Sequence, residues 1–418
     1  MRTSQPYLID QIFEEVDRRK RAIGQTLCDL IGFDTSNPPG RNYPELCAYI
    51  RSFLAPLGWS FEEILVEQSK LEGLPFLLEG DRVNLVAKGP FKRPSVSLYA
   101  HLDVVPAQAQ EGWSSPPFRG VIVDDCVFGR GAVDMKGALA CVLFVAHLLG
   151  KLGIKPRYNP VGLFCTDEEI GGYPGVYEVA LQGKIQGPLL WLEGGGQWPV
   201  LLTSLLGSME VHLTFLGKGA HVGLPFLGDN ALEKAIPALA SLLEYKRSLS
   251  SRLTDEPLLF FPDKRMGSTM NITMIQSGLK ANIIPDTCSV VIDRRFTQEE
   301  SFEGIKEEME SLVAGFDNVR LEAHHFYDPV QVAWDTPWHQ KKIEALSKIY
   351  GLDPTMFRKG GMGGASDMSY IQKVCPDVPI VGMGVMSPRS KGAHAADEAV
   401  HLDDLAGLAK EILYMLLV

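Results

Sequence analysis

Apolar residues recur at helical spacing near the start of the chain. Leu8, Ile12, Val16, Ile23, Leu27 and Leu30 share one face of a segment from about Tyr7 to Ile31, so the pattern predicts a helix there. Asn37-Pro38-Pro39-Gly40 stops it. A second helix is predicted over roughly Tyr43 to Leu57, ended by Gly58. Short apolar runs then read as strands at Asn84–Ala87, Ser95–Ala100, Val161–Thr166 and Leu189–Leu192, with a helix from about Lys136 to Leu149 among them. Strands alternating with helices imply an α/β fold with a largely parallel sheet.

The pattern changes near Ser204. Met209 to Phe215 alternates apolar and polar residues, as in a half-exposed antiparallel strand. Helices are predicted near Asn230–Leu249 and Glu299–Val313, and strands near Met270–Ile275, Asp286–Asp293 and Val319–His325. Together they make a compact α+β unit. After Tyr327 a helix over Pro337–Tyr350 and an apolar strand over Pro379–Val385 resume the first pattern. The predicted organisation is a mixed, largely parallel α/β catalytic domain in two segments, 1–203 and 327–418. An α+β domain, 204–326, is inserted between them.

The 418 residues exceed what one ordinary core needs, which agrees with two domains. A formal charge of −11 argues against nucleic acid as a partner. Seven cysteines, odd in number and without a C-x-x-C pair, argue against a disulfide framework and for a reducing compartment. Met1 to Lys20 is charged and has no apolar core of a secretory signal. The apolar run Ala138–Ala146 is too short to span a bilayer and reads as a buried helix. A cytoplasmic protein with no membrane partner is expected.

Acids and histidines follow the apolar runs. Ser95–Ala100 delivers His101-Leu102-Asp103, and Val127–Val133 delivers Asp134. Val161–Thr166 leads through Asp167 to Glu168-Glu169, and Leu189–Leu192 delivers Glu193. Past Pro379–Val385, a loop of small residues carries His394. Open α/β sheets place their chemistry beyond the carboxyl ends of the strands. Two histidines and several carboxylates there suit a pair of divalent ions.

Taken singly, each position has a plainer reading. His101-x-Asp103 suits a ligand and its orienting carboxylate, or a surface turn. Asp134 has two oxygens with which to bridge two cations, or it caps the following helix. Of Glu168 and Glu169, one can bind metal while the other takes a proton from metal-bound water; acids at a solvated helix start would look the same. Asp34-Thr35-Ser36 occurs once, whereas aspartic-protease chemistry needs two such carboxylates. No G-x-S-x-G, Walker or dinucleotide motif is present. His324-His325 is expected at a strand end, without a site.

The chain resembles the M20 family of co-catalytic zinc amidohydrolases, which includes acetylornithine deacetylase, succinyl-diaminopimelate desuccinylase, aminoacylase-1 and glutamate carboxypeptidase. The matching segments are 34–40, 99–106, 112–118, 129–137, 166–169, 217–221, 282–285 and 363–367. The resemblance implies two Zn²⁺ per chain, with Co²⁺ or Mn²⁺ as substitutes. His101 and Glu193 would hold one, Glu169 and His394 the other, with Asp134 bridging. It further implies Glu168 as general base, Asp103 as orienting residue and a cis peptide at Asp134–Met135. The inserted domain would be a lid that forms a homodimer, and His221 would reach the partner subunit's site to polarise the scissile carbonyl. Asn282, Arg295, Gly363 and Gly364 would bind the substrate carboxylate.

Two segments depart from many relatives: Gly194-Gly195 stands where Pro-Thr is common, and Met368-Ser369 where Ala-Arg is common. Both border the substrate pocket in those relatives, so no single substrate carries over. The expected reaction is hydrolysis of the amide of an N-acyl amino acid by a metal-bridging hydroxide. A metallo-exopeptidase acting on short peptides is the alternative, followed by an inactive metal- or peptide-binding protein.

Overall fold

A computed structural model describes residues 5–72, 77–107, 112–171, 173–196 and 198–418. Residues 1–4, and the side chains of residues 5–8, Leu8 among them, lie outside the described residues. The chain forms two compact units. One comprises Met1–Thr203, Val332–Lys359 and Tyr370–Val418; the other comprises Ser204–Gln331 and Gly360–Ser369. The second unit thus runs past residue 326 and takes in the loop of Gly363 and Gly364. Backbone pairing accounts for that loop: Leu206 N donates to Gly364 O, and Leu258 pairs with Gly361.

The first unit is built on a six-stranded sheet. Its order is Ser60–Leu65, Val83–Lys88, Asn159–Cys165, Ser95–His101, Leu189–Trp191, Ile380–Gly382. The first two pairings are antiparallel and the other three parallel. Asn159–Cys165 is buried along its whole length, as expected of a strand covered on both faces. The helix Lys136–Leu152 is apolar nearly all round and almost wholly buried, which marks a core helix. It shares one core with the faces of Gln5–Ile31, Tyr43–Leu54 and Leu402–Leu417. The sequence reading leaves that last helix unassigned, although its residues from Leu402 to Leu416 are largely buried.

The apolar run Val127–Val133 is not one strand. Cys126–Phe128 pairs with Val121–Val123 and Ala399–His401 in a separate three-stranded sheet. Gly129 and Gly131 then take φ values of 147° and 87°, which L side chains avoid. The chain therefore turns, and Asp134 lies in the turn rather than at a strand end.

The second unit has a four-stranded antiparallel sheet in the order Thr269–Ser277, Thr287–Phe296, Gly207–Leu216, Val319–Tyr327. Met209, Val211, Leu213 and Phe215 form its inner row and pack with the helices Ala231–Leu249 and Phe302–Val313. Asn230 caps the first helix by accepting from Leu232 N and Glu233 N. A hairpin, Leu253–Leu258 with Phe261–Gly267, escapes the pattern reading. Its strands carry Pro257, Pro262 and several charges, so no apolar period marks them.

Candidate metal centre and active site

Register brings the first unit's acids and imidazoles to one edge. His101 ends its strand directly opposite Cys165 of the parallel neighbour. Asp167 and the short 3₁₀ turn Glu168–Ile170 follow Cys165 at that edge. The third parallel strand ends at Trp191, two residues before Glu193.

Asp134 lies between two histidines. His101 Nε2 is 3.0 Å from its Oδ1 and His394 Nε2 is 3.1 Å from its Oδ2. His394 Nε2 is also 3.3 Å from Glu169 Oε2, and His101 Nε2 is 3.9 Å from Glu193 Oε2. Two sets of ligand atoms lie within 4.8 Å of one another: His101 with Asp134 and Glu169, and His101 with Glu168 and Glu193. The Trp191 indole donates to Glu193 Oε2 at 3.4 Å, and Val105 N donates to Glu169 Oε1 at 3.2 Å. The Asp134–Met135 peptide is cis.

The electrostatics are those of a crowded acid cluster steadied by imidazolium. Asp134 and Glu169 raise His394 to about 10. Burial pulls His101 down, but Asp103 and Asp134 outweigh it and favour its charged form well above the usual range. Burial, with the Asp134 charge next, pushes Glu169 up to about 7. Burial acts the same way on Asp134, yet the two histidines win and hold it below the usual range. Imidazole nitrogens and carboxylates, each histidine aimed at a different oxygen of one carboxylate, are a donor set that fits two divalent ions. Binding them would displace the protons now shared within the cluster.

Asp103 meets His101 through both its main chain and its carboxylate. His101 Nδ1 is 3.0 Å from the Asp103 backbone oxygen and 3.6 Å from Oδ1, so the main chain makes the shorter contact. The carboxylate also accepts from Glu168 N at 3.3 Å, Glu169 N at 3.0 Å and Asn37 Nδ2 at 3.0 Å. It thereby ties the Glu168-Glu169 turn to the His101 strand.

The profile of Peptidase family M20/M25/M40 matches residues 97–417. The chain belongs to this family. As a member of the M20 family it is a metal-dependent hydrolase of amide bonds. The succinyl-diaminopimelate desuccinylase of Hahella chejuensis is 29% identical over 362 residues, 84% of this chain and 88% of that one. A di-peptidase of Saccharomyces cerevisiae shares the fold with a TM-score of 0.79 at 16% identity, over 97% of each chain. A dinuclear metal-binding M20 peptidase of Bacillus subtilis has a TM-score of 0.58 at 15% identity, over 94% of this chain and 98% of that one.

The other M20-type positions lie in the second unit. His221 is exposed on the short strand Ala220–His221, paired with Ile283–Ile284, and its Nδ1 accepts from Gly223 N at 3.0 Å. Asn282 is exposed beside it, its carbonyl accepting from Val222 N. Arg295 is half-buried and donates to both oxygens of Asp293 at 2.9 to 3.1 Å. Gly363 and Gly364 are exposed, with open space where a Cβ would stand.

Sequence reasoning gives no role to Glu398, yet it holds the Asp134 turn. Its buried carboxylate accepts from Gly131 N, Val133 N and Asp134 N at 2.8 to 3.1 Å and from Arg130 Nη1 at 2.8 Å. An acid four residues past His394 is visible in the chain. Its partners, 264 residues from it at Asp134, are not.

Proposed function

We propose that the protein is a two-metal amidohydrolase that removes the acyl group from an N-acyl amino acid carrying a free α-carboxylate. The observation that carries this reading is Asp134, with one imidazole on each oxygen. His101 and Glu193 would hold one ion, His394 and Glu169 the other, and Asp134 would serve both. Zn²⁺, or Co²⁺ or Mn²⁺ in its place, supplies Lewis acidity to the amide carbonyl and acidifies water.

The chain's own residues supply the rest. Glu168 follows Asp167 in the turn beside the cluster, and its backbone N–H is fixed by Asp103. It takes the proton from the attacking water and returns it to the nitrogen of the leaving amine, so water and amide give acid and amine. His221 stabilises the oxyanion in the partner subunit's site of a homodimer. Asn282, Arg295 and the Gly363-Gly364 loop receive the substrate carboxylate. The desuccinylase relatives support an acyl amino acid. We also place the protein in the cytoplasm; seven cysteines outside disulfides support that placement. No helix among the described residues is long and apolar enough to cross a membrane.

A metallo-exopeptidase is the second reading, favoured by the shared fold with a di-peptidase. Hydrolysis of N-succinyl, N-acetyl and dipeptide substrates, each with added Zn²⁺, Co²⁺ or Mn²⁺, separates the two. Turnover of acyl amino acids above dipeptides is expected. Preference for dipeptides would replace the first reading with the second, and no turnover of any would overturn both.

A further inference from the structure

Asn37 is buried, and its side-chain nitrogen lies 3.0 Å from Asp103 Oδ2 and 3.0 Å from Asp167 Oδ1. An amide nitrogen carries two hydrogens, one for each carboxylate. Its own Oδ1 is buried without a hydrogen-bond partner among the described residues. Turning the amide over would aim that oxygen at two acids, so the acids fix its orientation. The orphaned acceptor costs stability, and the two bonds to the carboxyl groups offset it. The amide is oriented to serve the carboxylates rather than itself.

Both carboxylates are structural members of the centre. Asp103 receives the amides of Glu168 and Glu169, and its carbonyl faces His101 Nδ1. Asp167 is fully buried with φ at 70° and begins the turn that presents those glutamates. Thr166 Oγ1 donates to its other oxygen at 2.7 Å, and Arg82 Nε lies 3.4 Å from Oδ1. The reach of Asn37 is set by main-chain bonds to the same strand extension. Asn37 N donates to Val104 O, Val104 N to Thr35 O, and Thr35 Oγ1 to Leu102 O.

We propose that Asn37 is a positioning residue of the catalytic centre: its amide clamps Asp103 to Asp167 and so sets the spacing between His101 and the Glu168-Glu169 turn. This rests on the two-metal reading of the cluster. A neutral side chain with two donors is required there. Leucine has the same size and leaves both buried acids short of a bond. Aspartate would set a third carboxylate against them.

The test is Zn²⁺ titration of chelator-stripped wild type, Asn37→Leu and Asn37→Asp in competition with a chromophoric chelator, alongside kinetics and the unfolding midpoint of the metal-free proteins. Both variants are expected to bind at least one ion about 10- to 100-fold more weakly, the range for lost partners of metal-bound groups. Their kcat should fall by about the same factor with KM within about twofold, and their metal-free midpoints should stay near wild type. If Asn37→Leu does not fold, Asn37→Ser, which keeps one donor, is expected to show an intermediate loss of affinity. Wild-type affinity for both ions in the variants would overturn the role of Asn37. So would a loss of activity that only follows a lower metal-free midpoint. A wild-type protein that takes up one ion at most would instead overturn the two-metal reading, and this inference with it.

Discussion

Glu168 and Glu169 are neighbours with different surroundings. Glu169 Oε2 faces His394, and Oε1 accepts from Val105 N. Glu168 comes within ligand reach of His101 and Glu193. If Glu168 is the base, Glu168→Gln keeps two ions by metal analysis and loses about two to four powers of ten in kcat. Loss of an ion in step with activity would make it a ligand instead. A second residue-scale expectation concerns acid stability. Burial, with the Lys342 charge next, pushes His339 down to about 4. Its unfolded pKa is about 6.5, so the unfolded chain takes up the proton first as pH falls. The neutral ring's contribution is intact above about 6.5 and lost between there and 4. Urea unfolding of wild type should lose about 2 kcal/mol from this group between pH 7 and 5. His339→Gln should lose that much less, and an equal loss in both proteins would refute the assignment.

At the scale of elements, the turn after Glu193 depends on glycines packed backbone to backbone. A Cβ on Gly382 would stand 2.0 Å from Gly194 O, and one on Gly384 would stand 2.2 Å from Gly195 O. These contacts give a physical reason for glycines at 382 and 384, and at 194 a Cβ would stand 2.0 Å from the Trp191 ring. Gly382→Ala is expected to cost about 1–3 kcal/mol in denaturant unfolding, the range for overpacking. It should also weaken uptake of the ion assigned to His101 and Glu193. Unchanged stability would show that the turn yields freely. In the second unit, Asn230→Ala removes a helix cap and should cost about 1 kcal/mol in the same assay.

At the scale of the whole molecule, the exposed apolar surface of the second unit bears on assembly. Thr269–Ser277 is an edge strand of the second unit's sheet, with Met274 61% and Ile275 53% exposed. Ile236 and Leu243 are exposed on the helix Ala231–Leu249. Unpaired edges with apolar side chains invite pairing, which supports the proposed homodimer. Met274→Lys with Ile275→Lys should convert a dimer to monomer by light scattering. Mixing inactive Glu168→Ala and His221→Ala subunits should restore part of the activity, since one hybrid site would be intact. Efficient subunit exchange without recovery would remove the trans role of His221.

Local pattern by itself determined most elements, because burial on one or both faces leaves a period in the chain. It also placed His101, Glu168, Glu169 and Glu193 after apolar runs that are strands or lead from them. It showed Val127–Val133 only as an apolar run ahead of Asp134 and not as the turn it is, since glycine backbone angles leave no mark on an apolar period. Only tertiary structure decided that Asp134 sits between His101 and His394, 260 residues from the latter. The same holds for Glu398 beneath the Asp134 turn and for Asn37 between Asp103 and Asp167. Sequence pattern records what a residue does for its own element. A hydrogen bond between distant segments exists only once strand register has brought them together.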